Sequence, residues 1–433
     1  MTRARVVGLV VAMLLVAPIA TRGAEAPDVT RHVLPNGLTL LVRESRAAAV
    51  VAVSLQVDGG SAFETPETAG ISQLVQRVMV RGTARRSMMQ LAEAAEEIGG
   101  AIDASADVEH AELQGHALAR RWETLLGLVA EVALDPAFKA EEIERARRLL
   151  VSQAHTRADT PRAFAMEALL RDLYGPHPYG IPPGGRPDTL AAISREALVA
   201  HYRRMYRPDR MVLAVSGNVP RDRVVKQAAN LFRRLERGVP HEPAALAAPA
   251  PTRGRRTVER PAQQAQIVMG ALGPAVRDPD YAAVKVLAAV LGGGTAGRFF
   301  AELRDRRGLA YTTGVINASR RGPSAFVGYI GTTAINVEAA ESGMRGELDR
   351  IRAEPPTADE LDRAKAYVLG ALAMDRRTNA RQAWYLAFFE LIGAGWDFPD
   401  RYARAVGAVT ADAVHAAAQR YLDRPTTFVL IPR

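Results

Sequence analysis

The chain has 433 residues, 48% of them hydrophobic and 24% charged, and it contains no cysteine. That length suits two or three domains, each able to bury its own core, and the composition excludes a disordered or collagen-like chain. The lack of cysteine excludes a disulfide framework, a cysteine metal cluster and a thiol nucleophile. The formal charge of +9 includes Arg3, Arg5 and Arg22, so the remainder is only moderately basic. It favours acidic partners or a membrane surface slightly, and no aromatic-rich basic motif points to nucleic acid.

Residues 1–26 read as a secretory signal peptide: Arg3 and Arg5, an apolar run at 6–17, then the small residues Ala20, Ala24 and Ala26. The run is short for a membrane span, and no later stretch approaches roughly 18 to 20 uninterrupted apolar residues. The expectation is an exported, periplasmic chain with no stable span after signal removal, a retained N-terminal anchor being the alternative. "RHVLPNGLTLLVRE" then predicts a hairpin turning at Pro35-Asn36-Gly37 into a strand at 38–42. A strand at 50–57 ends at Asp58-Gly59-Gly60, and long helical patterns follow. Further strands are predicted near 111–117 and at 211–216.

Strands and helices mix without strict alternation, which predicts an α+β fold with helices packed on one face of a mainly antiparallel sheet. The first domain spans 27–237. Residues 238–256, rich in Pro and Ala, read as a linker, and the second domain spans 257–433. The pattern then repeats. "EEIERARRLL" at 141–150 returns as "DELDRAKAYV" at 359–368, and the helix at 195–206 before Arg207-Pro208 returns at 411–422 before Arg424-Pro425. Equal spacings of about 217 residues are what a duplicated domain leaves behind.

The segment "ETAGISQLVQRVMVRGTARRS" carries the first functional signal. Ile71, Leu74, Val75, Val78 and Met79 form a buried helical stripe. Gln73, Gln76 and Arg77 share the opposite face, since residues three and four apart are neighbours on a helix. A zinc-binding His-x-x-Glu-His helix needs that same geometry, with two ligands one turn apart and a general base between them.

The segment resembles the insulinase or pitrilysin family of zinc metallopeptidases. The family's inverted zinc motif stands between a lead-in matched here by Thr68-Ala69-Gly70 and a tail matched by Gly82-Thr83. Gly99-Gly100, the step from Ala101 to Asp103, Glu109 and the "EEIERAR" helix from Glu141 extend the match. "LGGGTAGRFFAELRDRRGLAY" at 291–311 is similar to the most recognisable part of the family's partner domain. The resemblance covers nearly all of the chain beyond the leader and implies two homologous halves that form a clam-like chamber around a peptide.

Residue by residue, the resemblance puts Gln73 and Arg77 at the two His positions, Gln76 at the catalytic Glu and Gln153 at the distal Glu ligand. Neutral amides bind zinc far less well than imidazole or carboxylate, and a guanidinium has no lone pair to offer. Gln76 cannot accept a proton from water, so the general base is absent too. Arg77 sets a positive charge where the family has a metal dication. The plain alternative for these four is a polar helix face. Gln153 is expected to continue the inward stripe of Ile143, Ala146 and Leu150, as a ligand or as an ordinary buried amide.

No other cluster is readable. His32, His155, His177, His201, His241 and His415 are scattered, and His110 and His116 share at most one side of a strand. Gly292, Gly293 and Gly294 lack the Lys-Ser or Lys-Thr of a phosphate loop. They read as a turn or, by resemblance, as a glycine run beside the substrate chain. The resemblance also implies that Arg304 and Tyr311 point across the cavity at the scissile bond, a phenol donating to an oxyanion and a guanidinium holding carbonyls. An ion pair and a half-buried ring are their plain alternatives.

The chain is therefore identified as a member of this family without its own zinc site. It resembles the non-catalytic subunit of two-chain bacterial members. The expectation is no cofactor in this chain, zinc in a homologous partner subunit, a peptide substrate, and no nucleic acid. A non-catalytic peptide-binding or scaffold protein is the alternative.

Overall fold

The structure, a computed structural model, describes residues 29–236 and 248–433. Residues 1–26, read from sequence as a signal peptide, and residues 238–247 of the predicted linker lie outside the described residues. In the N-terminal half, β1 (Val29–Val33), β2 (Thr39–Glu44), β3 (Val50–Asp58), β4 (Ala101–Ala106), β5 (His110–Leu118) and β6 (Met211–Gly217) form one sheet. Its order is β1-β2-β6-β3-β5-β4, antiparallel throughout except where β2 and β6 run parallel. Helices α1 (Ile71–Met79), α2 (Met88–Glu97), α3 (Trp122–Leu134), α4 (Ala140–Asp159), α5 (Pro161–Tyr174), α6 (Pro187–Ala192), α7 (Arg195–Met205) and α8 (Arg221–Phe232) complete this half.

The C-terminal half repeats the plan. Strands β7 (Arg255–Arg260), β8 (Ala265–Gly273), β9 (Thr312–Asn317), β10 (Ser324–Thr332) and β11 (Thr426–Pro432) lie in the order β7-β11-β8-β10-β9. Only β7 and β11 run parallel, so the five strands match β2-β6-β3-β5-β4 in order and direction. Arg255 and Arg256, read from sequence as linker, already belong to β7. The helices are α9 (Tyr281–Gly292), α10 (Val337–Ala353), α11 (Ala358–Asp375), α12 (Asn379–Leu391), α13 (Phe398–Ala408) and α14 (Ala411–Tyr421). The two sequence echoes fall on α4 with α11 and on α7 with α14, the latter pair each leading into the strand that has a parallel neighbour.

Each sheet packs its own helices on one face. Val51, Val53, Leu55 and Val57 of β3 alternate toward the core that α1, α3 and α4 share, as the two-residue period of a strand requires. The opposite face of β3 carries Ser54, Gln56 and Asp58, which reads as solvent-facing, yet these residues are 1%, 0% and 3% exposed. The cause is an exchange of helices. α12 of the C-terminal half covers this face, seating Ala383, Leu386 and Ala387 on Leu41, Val212 and Ala214. In return α5 covers the second sheet, where Ala165, Leu169 and Leu173 meet Val268, Phe428 and Leu430.

Charged pairs close the seam beside the exchanged helices. Arg321 reaches Asp58 at 2.5 Å and the carbonyl of Leu391 at 2.7 Å, and its backbone N–H donates to the Glu109 carboxylate at 2.9 and 3.0 Å. Arg320 pairs with Asp107 at 3.1 Å. His110 is buried against the rings of Trp384 and Phe388.

Candidate functional site

Helix α1 begins where Glu64 turns back on its free N–H groups. The Glu64 carboxylate accepts from Gly70 at 2.7 Å and from Ser72 at 2.8 Å, which satisfies donors that a helix start leaves open. Burial pushes this carboxyl up against the pull of those bonds. Gly70 precedes the helix at φ 95°, where a side chain would also strike Gly185 and Leu190. Ile71, Leu74, Val75, Val78 and Met79 are all buried, as their spacing predicts. Ser72 is fixed by His201 Nε2 of α7 at 2.9 Å.

The polar residues of α1 are each engaged or blocked. Gln73 Oε1 accepts from the Ala106 N–H at 2.8 Å, tying α1 to the end of β4. Gln76 is 2% exposed, and its Oε1 accepts from the Tyr206 hydroxyl at 2.9 Å. Burial pushes that phenol up, so it stays a donor. Arg77 is half-buried, and its Nε is buried without a hydrogen-bond partner among the described residues. Arg81, one turn on, pairs with Glu142 of α4 at 3.3 Å.

α4 departs from expectation by one residue. Ile143, Ala146 and Leu150 are buried as predicted, but Ala154 takes the next inward place at 4% exposure, and Gln153 sits half-buried at the stripe's edge. A helix advances 100° per residue, so either position can follow Leu150, and the smaller apolar residue takes the tighter one.

Arg304 lies on a π-helical segment, Phe299–Arg306. Its guanidinium sits 4.8 Å from the Phe300 ring centroid and has no ion-pair partner among the described residues. Tyr311 is 62% exposed; its backbone N–H donates to the Gly331 carbonyl at 3.0 Å, and its hydroxyl has no hydrogen-bond partner among the described residues. Neither plain alternative, an ion pair or a half-buried ring, describes them. They flank the turn at Gly308, φ 60°. The structure does not bring them onto α1: the π-helical segment packs on α10 and β9, and α1 packs on α4, α7, β4 and β5. Gly292, Gly293 and Gly294 form a packed turn. A Cβ on Gly292 would meet Val315 N at 2.4 Å, one on Gly293 would meet Ala289 O at 2.4 Å, and Gly294 has φ +64°.

Two family models cover most of the chain, insulinase (peptidase family M16) at residues 39–183 and the peptidase M16 inactive domain at residues 192–368. The chain belongs to the M16 family. An uncharacterized zinc protease of Streptomyces coelicolor is 27% identical over 415 residues, covering 93% of this chain and 90% of that protein. One of Mycobacterium leprae is 31% identical over 298 residues, 67% of this chain and 66% of that protein. A Pseudomonas fluorescens structure described as a peptidase M16 inactive domain shares the fold, with a TM-score of 0.87, 24% identity and coverage of 94% and 98% of the two chains. A protease from Helicobacter pylori superposes with a TM-score of 0.85 at 20% identity, covering 94% of this chain and 100% of that one.

The residues of this M16 chain do not fit the zinc of the family. Two of the four positions are amides whose oxygens are already spent on Ala106 and Tyr206, and a third is a cation. Among the described residues no group of three or more His, Cys, Asp or Glu side chains is placed to hold a metal ion. His110 is buried and His116 exposed on the same strand, so they make no pair. Nothing in the sequence signals the role of Tyr206, the last residue of the predicted helix 195–206, which the structure places just past the end of α7. Sequence reading also missed β4, because Ala, Asp and Ser are poor strand formers and only Ala104 of its residues is buried.

Proposed function

We propose that this chain is the non-zinc subunit of a two-chain peptidase, holding peptide and presenting Arg304 and Tyr311 to a zinc-bearing homologous subunit. The observation that carries this reading is the contrast within one molecule. The face of α1 that would hold a metal is filled by engaged amides and a cation, while in the other half an exposed guanidinium and phenol have no side-chain hydrogen bond or ion pair among the described residues. β4 supports the peptide-holding part. It is an edge strand of its sheet beside Gln73, and an edge offers unpaired N–H and C=O groups to an extended peptide. The metal and the base belong to the partner in this reading, and export to the periplasm, read from residues 1–26, is part of the same proposal.

The test mixes the purified chain with a homologous chain that keeps an intact His-x-x-Glu-His helix. Sedimentation measures association, and a fluorogenic peptide measures cleavage. The expected result is a complex that cleaves faster than the zinc chain alone. Arg304→Ala and Tyr311→Phe should preserve assembly and reduce turnover about 100-fold or more, the usual cost of losing a transition-state donor. If mixing produces neither association nor faster cleavage, the proposal is overturned. Assembly with turnover indifferent to both substitutions would favour a peptide-binding scaffold.

A further inference from the structure

A cavity of about 440 Å³ opens in the C-terminal half between α9, α11, α12 and α13. Its walls are aromatic, with Tyr281 of α9, Tyr385 and Phe389 of α12, and Phe398 and Tyr402 of α13. These rings brace one another: Phe389 stacks on Phe398 at 4.5 Å, and Tyr281 meets Tyr402 at 5.5 Å and Phe398 at 5.8 Å between centroids. The shape is therefore fixed by packing before any ligand arrives.

Lys285 lines this cavity. Its ammonium donates to the carbonyl of Asn317 and lies 5.1 Å from the Tyr281 ring centroid, and no carboxylate among the described residues pairs with it. Asp375, which also lines the cavity, is committed elsewhere: it binds Arg381 at 2.6 and 3.0 Å and the Tyr385 hydroxyl at 2.8 Å. Arg320, the other charge acting on Lys285, is paired with Asp107 and adds repulsion. Burial, then Arg320, pushes the lysine down to about 7.

A cation taken from water without a counter-ion is costly, and a ligand that supplies the missing negative charge recovers that cost. The walls state the rest of the ligand, because apolar rings reward an apolar body and few polar groups orient it. We propose that this cavity binds a monocarboxylate with an aromatic or aliphatic body, its carboxylate on Lys285 and its body among Tyr281, Phe398 and Tyr402. Two sources present that chemistry, the free C-terminus of a peptide ending in an apolar residue and a small free acid. The site is separate from α1 and does not depend on the two-chain reading.

Calorimetric titration of the full chain tests it with 3-phenylpropionate, octanoate, a short peptide ending in phenylalanine as the free acid, and the same peptide amidated. Free acids should bind with a Kd below about 1 mM, and the amide should bind at least about tenfold more weakly, having lost a charge-assisted bond. Lys285→Met keeps the stem and removes the charge. Ala371→Trp fills the cavity from α11 and keeps the lysine. Both should weaken binding about tenfold or more with the fold retained by circular dichroism. Tighter binding of the peptide acid assigns the peptide terminus, and binding of the small acids alone assigns a free acid. No binding by any probe, equal binding of acid and amide, or binding unchanged by Lys285→Met would overturn the proposal.

Discussion

The hydroxyl of Tyr206 donates to Gln76 Oε1 across 2.9 Å in the interior of the N-terminal half. The phenol comes from the residue that ends α7, and the amide sits where the family resemblance puts a catalytic carboxylate. One hydrogen bond thus turns a position for chemistry into a packing contact between two helices. Tyr206→Phe removes the donor and leaves a buried oxygen unsatisfied, which should cost about 1–3 kcal/mol. Urea unfolding followed by circular dichroism measures it, and an unchanged midpoint would show that the bond holds nothing.

Restoring the ligand types tests why α1 is empty of metal chemistry. The combined change Gln73→His, Gln76→Glu, Arg77→His and Gln153→Glu should bind zinc near one equivalent by elemental analysis, whereas the unaltered chain should not. The three other changes made with Arg77 retained should fail, because a guanidinium occupies the face and offers no lone pair. Zinc bound equally with Arg77 in place would show that the cation is not the obstacle.

The contrast between α1 and its surroundings shows what the sequence could carry. A helix period exposes Ile71, Leu74 and Val78 to inspection, and residues three and four apart must share a face, so Gln73, Gln76 and Arg77 were legible together. The duplication was legible because α4 with α11 and α7 with α14 keep their charge patterns. The burial of Ser54, Gln56 and Asp58 was not, since α12, more than 300 residues away in the chain, packs over their face of β3. Lys285 was missed for the same reason: a single lysine in "YAAVKVLAAVLG" looks solvated until α11, α12 and α13 close around it. Local period predicts which side chains share a face, and only the tertiary packing decides what lies opposite.

His110 makes stability depend on acidity. Burial holds its imidazole down to about 4, with Asp107 opposing and Arg320 and Arg321 adding to the shift. The folded pKa lies below the ordinary value of 6.5, so the unfolded chain takes up the proton first. The contribution is full above pH 6.5 and is lost as the pH falls toward 4. The shift corresponds to about 3 kcal/mol across that window. His110→Phe keeps a ring against Trp384 and Phe388 and cannot titrate. Urea midpoints for the unaltered chain should therefore fall more steeply between pH 6.5 and 4 than those of the variant, and parallel curves would contradict the assignment.

The exchanged helices bind the two halves into one folding unit. α5 supplies core to the second sheet and α12 to the first, so neither sheet keeps both faces covered if the other half unfolds. A single calorimetric transition is expected, in place of the two that independent halves would give. Arg321 tests the seam directly. It sits on the loop between β9 and β10, yet it holds Asp58 of β3, Glu109 ahead of β5 and the end of α12. Arg321→Met preserves much of the stem and removes the charge that meets Asp58 at 2.5 Å. Breaking a buried pair from one side costs about 3–5 kcal/mol. The transition should fall in temperature and remain single, because loss at the seam uncovers both sheets together. A split into two transitions would mean that the halves are stable alone and that the exchange of α5 and α12 only docks them.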